Sequence, residues 1–430
     1  MGSIQALRGT RDILPEEVGY WQQVEAITTQ ILNNAAYQEI RPPIFERTEL
    51  FERGIGEATD VVGKEMYTFN DRADPPRSVT LRPEGTAGVV RAYIQNSLYA
   101  AGGVQRLWYT GPMFRYESPQ AGRQRQFHQL GVEVIGSADP RADAEVIAIA
   151  TDILQTLGLK SLHLDLNSVG TSEDRHQYRR ALINYLTPYK QELDQDSQER
   201  LTRNPIRILD SKNEWTQQII AEAPSILDYL SEDSKQHFDK VQQLLADLGI
   251  RYQLNPRLVR GLDYYTHTAF EVISDDLGAQ ATVCGGGRYD GLVEDLSGPK
   301  TPAVGWAIGL ERLIILLQQL QASPRQVLDF YVVSKGDAAE AQALKLAQQL
   351  RHAGFAVELD LSGSAFGKQF KRADRSGAIA CLVLGDAEAE NQTVNLKWLK
   401  SGEQHAIAQA DLLEKTDELR VQIERFKSDR

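Results

Sequence analysis

Two neighbouring strand-like segments constrain the fold of this chain more than any other feature of its sequence. Tyr109–Glu117 and Phe127–Ile135 both have the character of β-strands, and the polar loop Ser118–Arg125 between them carries a proline and a glycine. Two such segments joined by a short polar loop are typical of a β-hairpin. We therefore expect the stretch 107–136 to form two paired antiparallel strands.

The second strand of this hairpin separates polar from apolar side chains. Successive side chains of a strand point to opposite faces, so Gln129 and Glu133 share one face. The opposite face carries Leu130, Val132 and Val134 and is expected to be buried. Antiparallel sheets often leave one face in water, so the polar face is either simply solvated or the floor of a polar site.

Length and composition limit the class of protein. With 430 residues the chain can form two or three domains, each with a hydrophobic core. It lacks any run near the roughly 18 apolar residues that a membrane span needs, and its N-terminus lacks a signal-peptide pattern. Cys284 and Cys381 lie far apart, which argues against a disulfide framework or a zinc site. We expect no membrane contact and a cytoplasmic location.

The charge balance is acidic, with 59 acidic against 47 basic residues and a formal net charge of -12. A protein that coats nucleic acid through overall charge is therefore excluded, whereas local basic patches can still hold RNA. One such patch is the predicted helix 365–375, which is either an ordinary solvated face or an RNA-backbone contact. Its basic residues at helical spacing are Lys368, Lys371, Arg372 and Arg375.

The N-terminal part predicts an amphipathic helix from about Glu16, followed by a strand that ends at Pro42 and Pro43, since proline cannot donate to a sheet. Further along, LRPEGT ends a strand and begins a helix. Glu84 and Thr86 lie at that junction. Capping of the helix by Thr86 is the ordinary explanation, and a ligand site is the alternative.

The domain organisation follows from changes in pattern. Residues 172–248 consist of charged helical segments and are expected to form a helical insertion within a larger domain, 1–325. Residues 326–430 alternate strands with helices, which indicates a small α/β domain. Its expected strands are Asp329–Val333, Ala356–Leu361, Ala378–Leu384 and Thr393–Leu399, and its expected helices are Ala338–Ala353, Ala365–Arg375 and Asp411–Phe426.

Three arginines stand in separate segments, Arg115, Arg260 and Arg312. Taken alone, each is most simply a surface or salt-bridged residue, but brought together by one fold the three suggest an ATP site. The guanidinium group stays charged and its planar fork matches phosphate oxygens, so together the three could hold a nucleoside triphosphate. The sequence contains no P-loop, no GxGxxG, no HExxH and no GxSxG. Its seven histidines are scattered, so no metal site is expected.

The order of these motifs resembles the class II aminoacyl-tRNA synthetases in their histidyl form. The matching segments are the proline-containing strand at Pro42–Phe45, LRPEGT at Leu81–Thr86, the hairpin at Phe114–Glu133, RGLDYYT at Arg260–Thr266, GGGRYDGL at Gly285–Leu292 and the segment Gly309–Arg312. The resemblance implies an α+β catalytic domain built on an antiparallel sheet with a helical insertion, followed by a C-terminal α/β anticodon-binding-type domain. It also implies a homodimer.

The resemblance assigns roles to residues. Arg115 would hold the α-phosphate of ATP and Arg312 its distal phosphates, and Arg260 would bridge the histidine carboxylate and the α-phosphate as the principal catalytic group beside Arg115. ATP would contact Arg115, Glu117, Arg123 and Arg312. Histidine would contact Glu84, Gly85, Thr86, Gln129, Glu133, Arg260, Tyr264, Tyr265 and Tyr289. The tRNA would contact Gln120, Arg123, Arg125, Lys368, Lys371, Arg372 and Arg375.

The implied activity is ATP-dependent attachment of L-histidine to tRNA(His) through a histidyl-adenylate, with Mg²⁺ accompanying the nucleotide. The partners would be L-histidine, ATP, tRNA(His) and a second copy of the chain. A competing interpretation is the histidine-binding regulatory subunit of ATP phosphoribosyltransferase, which resembles the catalytic domain but lacks a complete RGLDYY-type segment and the C-terminal domain. A third is an RNA-binding scaffold with an inactive site. The regulatory subunit is disfavoured because Arg260, Asp263, Tyr264, Tyr265 and the C-terminal α/β tail are all present. The inactive scaffold is disfavoured because all three arginines are present.

Overall fold

The computed structural model describes residues 3–56, 59–276, 282–320 and 327–428. The chain divides into two compact units, Met1–Ser323 and Pro324–Arg430. The boundary expected at 325/326 lies outside the described residues. In the described part of the chain, none of the helices has the length and apolar character needed to cross a membrane.

The first unit alternates strands and helices in an irregular order. Its strands are β1 (Gln38–Glu39), β2 (Phe45–Arg47), β3 (Tyr67–Asn70), β4 (Ser78–Leu81), β5 (Gln105–Phe114), β6 (Gln126–Ile135), β7 (Leu162–Ser168), β8 (Gln253–Leu254), β9 (Thr266–Ser274), β10 (Thr282–Arg288) and β11 (Ala303–Gly309). Its α-helices are α1 (Pro15–Asn34), α2 (Thr48–Ile55), α3 (Thr86–Gln95), α4 (Pro140–Thr156), α5 (Ser172–Leu186), α6 (Gln195–Arg203), α7 (Glu214–Ala221), α8 (Glu232–Asp247), α9 (Leu292–Asp295) and α10 (Leu310–Leu320).

Within the described residues the first unit is built on an eight-stranded sheet in the order β1-β5-β6-β11-β10-β9-β7-β8. The inner pairings are antiparallel, and the two outermost strands join in parallel. Strands β2, β4 and β3 form a separate small sheet. The last strand in sequence, β11, therefore lies between β6 and β10 in the middle of the large sheet.

The expected hairpin is present as β5 and β6, but its first strand is shorter than the sequence predicts. Pairing stops at Phe114 rather than continuing to Glu117. Arg115 still donates its N–H to the carbonyl of Arg125 at 2.9 Å, whereas the N–H of Arg125 donates to the carbonyl of Gly9 at 2.6 Å. The N-terminal segment thus takes the hydrogen bond that would have continued the hairpin.

The predicted separation of faces on β6 is observed. Leu130, Val132 and Val134 lie in the main core together with side chains of α1, α4 and α10. The other face of the sheet packs on a second core, which includes Leu107 and Tyr109 of β5 and apolar residues of α3 and α5. Alternation along the strand thus places apolar side chains of both strands in cores on both sides.

The segment between β7 and β8 is helical in the structure. Its helices α5 to α7 pack into the second core. The final helix, α8, behaves differently because Phe238, Val241 and Leu245 lie in the main core, against α4. The stretch predicted as an insertion therefore ends in a helix that contributes to the main core of the first unit.

The second unit is a small α/β structure. Its strands are β12 (Phe330–Ser334), β13 (Val357–Leu359), β14 (Ala380–Leu384), β15 (Thr393–Trp398) and β16 (Gln404–Ala408), and its helices are α11 (Asp337–His352), α12 (Phe366–Ser376), α13 (Asp386–Glu390), α14 (Gln409–Glu414) and α15 (Thr416–Ser428). The described sheet has the order β13-β12-β14-β15-β16. The sequence did not predict β16 or α13, and the helix expected at 411–426 is divided at Lys415, whose backbone is not helical.

A buried ion pair ties β10 to α4. Arg288 and Asp143 are both fully buried and pair through two hydrogen bonds, and Arg288 also donates to the Ser137 carbonyl at 2.8 Å and to Asp290 at 3.2 Å. Burial opposes ionisation of Asp143, but the charges of Arg288 and His237 outweigh it and hold its pKa at about 2. The pair is charged throughout the neutral range.

Removal of one partner is expected to be costly. Asp143→Ala would leave the guanidinium of Arg288 without its main counter-ion, which should lower the free energy of unfolding by about 3–5 kcal/mol. Urea unfolding followed by tryptophan fluorescence measures the change. Glu49→Ala, which breaks an exposed pair with Arg53 at 3.5 Å, is the matched control and should cost no more than about 0.5 kcal/mol. Equal losses would contradict the assigned importance of the buried pair.

Candidate active site

One cavity of about 400 Å³ lies against the large sheet of the first unit. Arg115 follows β5, Arg260 precedes β9, and Arg312 lies in the first turn of α10, yet all three line this cavity. Segments that are almost 200 residues apart are thus brought together because β11 pairs with both β6 and β10. The arrangement concentrates positive charge in one concave site.

Most of the residues predicted for the site line the same cavity. Besides the three arginines, these are Glu84, Thr86, Glu117, Arg123, Gln129, Glu133, Tyr264, Tyr265 and Tyr289. Gly85 lies behind the wall, where a Cβ atom would stand only 2.1 Å from the Tyr109 ring. The site therefore combines a cationic part with a part lined by carboxylates and tyrosines.

Glu133 is the most deeply buried acid of the cavity. Thr86 donates its hydroxyl hydrogen to one carboxylate oxygen at 2.7 Å, and the hydroxyl of Tyr289 donates to the other. Gly305 lies directly opposite on β11, where a Cβ would come within 1.9 Å of a Glu133 oxygen. Burial raises the pKa of Glu133 to about 8, although the hydroxyl donors oppose this rise.

Glu84 has a structural as well as a local electrostatic role. Its two carboxylate oxygens accept hydrogen bonds from the backbone N–H groups of Thr86 and Ala87, at 2.7 and 2.9 Å. Gly85 is the N-cap residue of α3, so Thr86 does not cap this helix and its hydroxyl is directed to Glu133 instead. An acid at a helix N-terminus is favourable, while burial raises the pKa of Glu84.

Each of the three arginines is oriented by a neighbouring group. Arg115 donates to the carbonyl of Pro83 at 2.8 Å, and Arg312 donates to the carbonyl of Thr282 at 2.7 Å. Arg260 is paired with the carboxylate of Glu271. Burial lowers the pKa of Arg312, and the nearby charge of Arg123 lowers it further, so this cluster favours an anionic ligand.

Three buried polar atoms of the cavity have no hydrogen-bond partner among the described residues. They are the hydroxyl of Tyr109, the side-chain oxygen of Gln129 and the Nε of Arg260. Buried polar groups are normally satisfied, because an unpaired one costs free energy. The oxygen of Gln129 can accept from an amine and the Nε of Arg260 can donate to an anionic group, so these two atoms match a ligand that carries both.

The sequence analysis did not identify several cavity residues. Glu271 is the one carboxylate in strand β9 and lies between the apolar residues Phe270 and Val272, and that isolation was a usable signal of a polar site. Its pairing raises the pKa of Arg260 despite the opposing effect of burial. Tyr109 is fully buried under two glycines, Gly85 and Gly131, and gave no such signal.

Some predicted RNA-contact residues lie outside the cavity wall. Gln120 pairs with Arg123 within the hairpin loop, and the guanidinium of Arg125 lies 3.9 Å above the ring of Tyr116. In the second unit, helix α12 exposes Lys368, Lys371 and Arg375. Arg372 differs from these three because it donates to Asp360 at 2.8 and 3.1 Å.

Side chains that could bind a metal ion are dispersed in the part of the chain that the structure describes. Among the described residues there is no cluster of three or more His, Cys, Asp or Glu side chains that could hold a metal ion. Cys284 and Cys381 are both buried as free thiols, and burial raises the pKa of each.

Comparison with known proteins gives consistent results. A family model described as histidyl-tRNA synthetase matches residues 9–313, and one described as anticodon binding domain matches residues 329–419. The histidine–tRNA ligase of Crocosphaera subtropica is 74% identical over 427 residues, which is 99% of this chain and 98% of that protein. That of Gloeothece citriformis is 72% identical over 430 residues, the whole of both proteins.

Solved structures agree in fold. The crystal structure of apo histidyl-tRNA synthetase from S. aureus matches with a TM-score of 0.79 and 42% identity, covering 96% of this chain and 99% of that one. A structure from Bacillus halodurans C, described as an ATP phosphoribosyltransferase regulatory subunit/histidyl-tRNA synthetase, matches at a TM-score of 0.63 and 23% identity, covering 86% of this chain and 97% of that one. The latter shows a likeness of fold alone.

The antiparallel-rich sheet and the separate anticodon-binding domain define a class II aminoacyl-tRNA synthetase, as the fold prediction stated. The chain belongs to the histidyl-tRNA synthetase family. The predicted family and ligase class are therefore confirmed, and the full-length anticodon-binding domain argues against the regulatory subunit. The roles of individual residues stay predictions.

The pKa of Glu133 leads to a test of its environment. Its folded-state pKa of about 8 exceeds the ordinary value of 4.5, so the folded protein binds the extra proton between these values. Stability should therefore fall as pH rises from about 5 to 8, by up to about 1.4 kcal/mol per pH unit. Glu133→Gln removes this dependence. The difference between the melting temperature of the variant and that of the original protein should therefore grow as pH rises over this range.

Calorimetry at half-unit pH steps measures the two curves. Glu52→Gln, on the exposed side of α2, is the matched control, and its melting curve should run parallel to that of the original protein. Parallel curves for Glu133→Gln as well would mean that Glu133 is already ionised at low pH, which would contradict the effect of burial described above.

Proposed function

We propose that this chain attaches L-histidine to tRNA(His) in two steps, with ATP as the energy-supplying substrate. The observation that carries the proposal is the single cavity in which Arg115, Arg260 and Arg312 lie beside a carboxylate- and tyrosine-lined recess. A cationic part suits the phosphates of ATP, and the recess suits an amino acid with a polar aromatic side chain. Synthetase activity itself implies ATP as a substrate.

Histidine would bind in the acidic recess. Its α-ammonium group would contact Glu84, Thr86 and Gln129. The side-chain oxygen of Gln129 has no partner among the described residues and can accept a hydrogen bond from this group. Its imidazole would lie between Glu133 and Tyr265. Because the pKa of Glu133 is about 8, this group can share a proton with an imidazole, whose ordinary pKa is about 6.5.

The tyrosine side of the recess would give specificity. Tyr264 contacts both Tyr265 and Tyr289, with ring centroids 4.7 and 5.6 Å apart. These rings would form the walls around an imidazole. An apolar amino acid of similar size would leave the carboxylate of Glu133 without its partner, and such unpaired buried groups make rejection strong.

Adenylation would use positioning and charge rather than a covalent enzyme intermediate. Arg115 would hold the α-phosphate and Arg312 the distal phosphates, with Glu117 and Arg123 nearby. Arg260, oriented by Glu271, would bridge the histidine carboxylate and the α-phosphate. The carboxylate oxygen attacks the α-phosphorus, the bond to the β-phosphate breaks, and pyrophosphate leaves while the guanidinium groups stabilise the developing charge.

In the second step a ribose hydroxyl of the terminal nucleotide of tRNA attacks the carbonyl carbon of the histidyl-adenylate. The ester forms, the bond to AMP breaks, and AMP leaves with the electron pair while the hydroxyl proton passes to a phosphate oxygen of the departing AMP. Donors that stabilise the phosphate in the first step also stabilise it as the leaving group in the second. The loop residues Gln120, Arg123 and Arg125 would contact ATP or the incoming acceptor end.

We propose that Mg²⁺ binds together with the nucleotide. Such ions are commonly held by substrate phosphates with one or two carboxylates, and Glu117 is a carboxylate of the cavity wall that fits this pattern. The ion would neutralise phosphate charge. The chain's own contribution at this position is the carboxylate of Glu117, which lies 3.5 Å from Arg123 and 3.7 Å from Arg115.

The second unit is proposed to hold the anticodon arm, since it matches an anticodon-binding family. The exposed cations Lys368, Lys371 and Arg375 of α12 would contact the RNA backbone, with Arg372 kept in place by Asp360. We further propose a homodimer in the cytoplasm, where tRNA is charged. The dimer would cover exposed apolar side chains such as Ile4 and Phe45.

Amino-acid-dependent exchange of labelled pyrophosphate into ATP tests the reaction. We expect exchange with histidine and not with other amino acids. Arg260→His should lower the exchange rate by at least about a hundredfold, because one charged donor is lost from the reacting centre, while histidine binding stays measurable by calorimetry.

Arg257→His is the matched control, since Arg257 lies in the same loop, is exposed and is not part of the cavity wall. Its exchange rate should equal that of the original protein. Exchange without histidine, or an unchanged rate in Arg260→His, would contradict the proposal.

The RNA contact of the second unit gives a separate prediction. Lys368→Glu combined with Lys371→Glu should raise the KM for tRNA and leave pyrophosphate exchange unchanged, because the cavity lies in the first unit. Each lost phosphate contact should reduce the slope of log KM against log salt concentration by about 0.7–0.9. Steady-state charging at several salt concentrations measures both effects.

Lys345→Glu, an exposed charge reversal on α11 of the same unit, controls for net charge alone. If Lys345→Glu raised the KM as much as the α12 variant does, the assignment of this helix face would be wrong.

A further inference from the structure

A second cavity, of about 290 Å³, lies in the first unit beside the candidate active site. It is formed by α5, the end of α6, the short helix Pro205–Asp210 and the loop that precedes β9. The function proposed above does not use it. Its charged and titratable side chains, apart from the shared Arg260, are Arg175, His176, Arg179, Arg203, Arg207 and Asp263.

The charge in this basic pocket is unbalanced. Four arginines besides Arg260 face a single carboxylate, Asp263, whose pKa is raised by burial. Asp263 accepts a hydrogen bond from Asn204 at 2.9 Å. Arg179 donates to two main-chain carbonyls, and Arg207 donates to the carbonyl of Arg260 at 2.6 Å. Neutral carbonyls orient these guanidinium groups without cancelling their charge, although Arg207 also lies 4.0 Å from the carboxylate of Asp210.

Arg175 is the decisive residue of the pocket. Within the described part of the chain its guanidinium makes no hydrogen bond and no ion pair, although the side chain is half-buried on the first turn of α5. Burial lowers the pKa of Arg175, with only a distant opposing effect from Asp263. By contrast, the buried Arg288 has two carboxylate partners. A partly desolvated guanidinium without a counter-ion is unfavourable unless an anion occupies the pocket.

We propose that the basic pocket binds the phosphate group of a small phosphate monoester. Several guanidinium forks around one cavity match the oxygens of a phosphate better than the two oxygens of a carboxylate. The opposite wall is apolar and includes Val169, Ile206 and Val259, which would contact a small carbon body. The volume suits a ligand of this size.

The position of Arg175 favours a small ligand over an RNA backbone. An RNA strand lies on the protein surface, where Arg180 on the same helix is exposed, whereas Arg175 is half-buried. The pocket also adjoins the active site, because Arg260, Leu262 and Tyr265 line both cavities. Binding in the pocket does not depend on the reaction proposed above and is tested without it.

The test is isothermal titration of the full-length protein with glycerol 3-phosphate and, separately, inorganic phosphate. Arg175→Gln should weaken binding by about tenfold or more, since a charge-assisted hydrogen bond is lost. Arg180→Gln is the matched control on the same helix and should bind as the original protein does. Arg312→Gln, which changes the neighbouring cavity, should also retain binding.

Thermal melting in phosphate-free buffer distinguishes a loss of phosphate binding from a loss of folding stability. Because the guanidinium of Arg175 has no hydrogen-bond or ion-pair partner in the described part of the chain, Arg175→Gln should melt at the same or a higher temperature, and Arg175→Lys should recover part of the phosphate affinity. A lower melting temperature would mean that Arg175 stabilises the fold instead. Phosphate binding that is lost in Arg312→Gln but kept in Arg175→Gln would place the anion in the larger cavity and overturn the proposal.

Two further outcomes would also overturn it. The first is absence of binding of either phosphate compound to the original protein at millimolar concentration. The second is a loss of tRNA affinity in Arg175→Gln with unchanged affinity for glycerol 3-phosphate, because the pocket would then be an RNA contact.

Discussion

Glu133 carries its carboxyl group into the interior of the first unit, where water cannot solvate it, and the surrounding structure compensates for this. Thr86 and Tyr289 supply hydroxyl donors from two different segments, and Gly305 on the adjacent strand leaves room for the carboxylate. Tyr289 is held in turn by its backbone N–H, which donates to the carbonyl of Ala303 at 2.7 Å. The register of the sheet, the position of Gly305 and the two hydroxyl donors thus together accommodate one buried acid.

The parts of this arrangement that alternate regularly were predictable from sequence. Leu130, Val132 and Val134 are buried because period-2 alternation on β6 places them on one face, and Glu133 lies on the other for the same reason. The alternation of strands and helices in the second unit was also predictable from the sequence. The grouping of Arg115, Arg260 and Arg312 came from family resemblance, since no local pattern relates residues so far apart.

Long-range pairings set the limit of such prediction. Nothing near Glu271 indicates that it orients Arg260, and nothing near Arg288 indicates Asp143, which lies 145 positions away. The early end of β5 depends on a hydrogen bond to Gly9, far from the hairpin in sequence. Such features depend on tertiary packing, so local sequence patterns do not predict them.

The central position of β11 has a consequence for biosynthesis. Strand β6 is complete once residue 135 has left the ribosome, but its neighbour in the sheet, Ala303–Gly309, is made more than 160 residues later. During that interval the nascent chain must keep one edge of β6 without its partner, and unpaired edges are prone to intermolecular association. The sheet that carries the candidate active site thus closes only after β11 has been synthesised, late in the production of each new molecule.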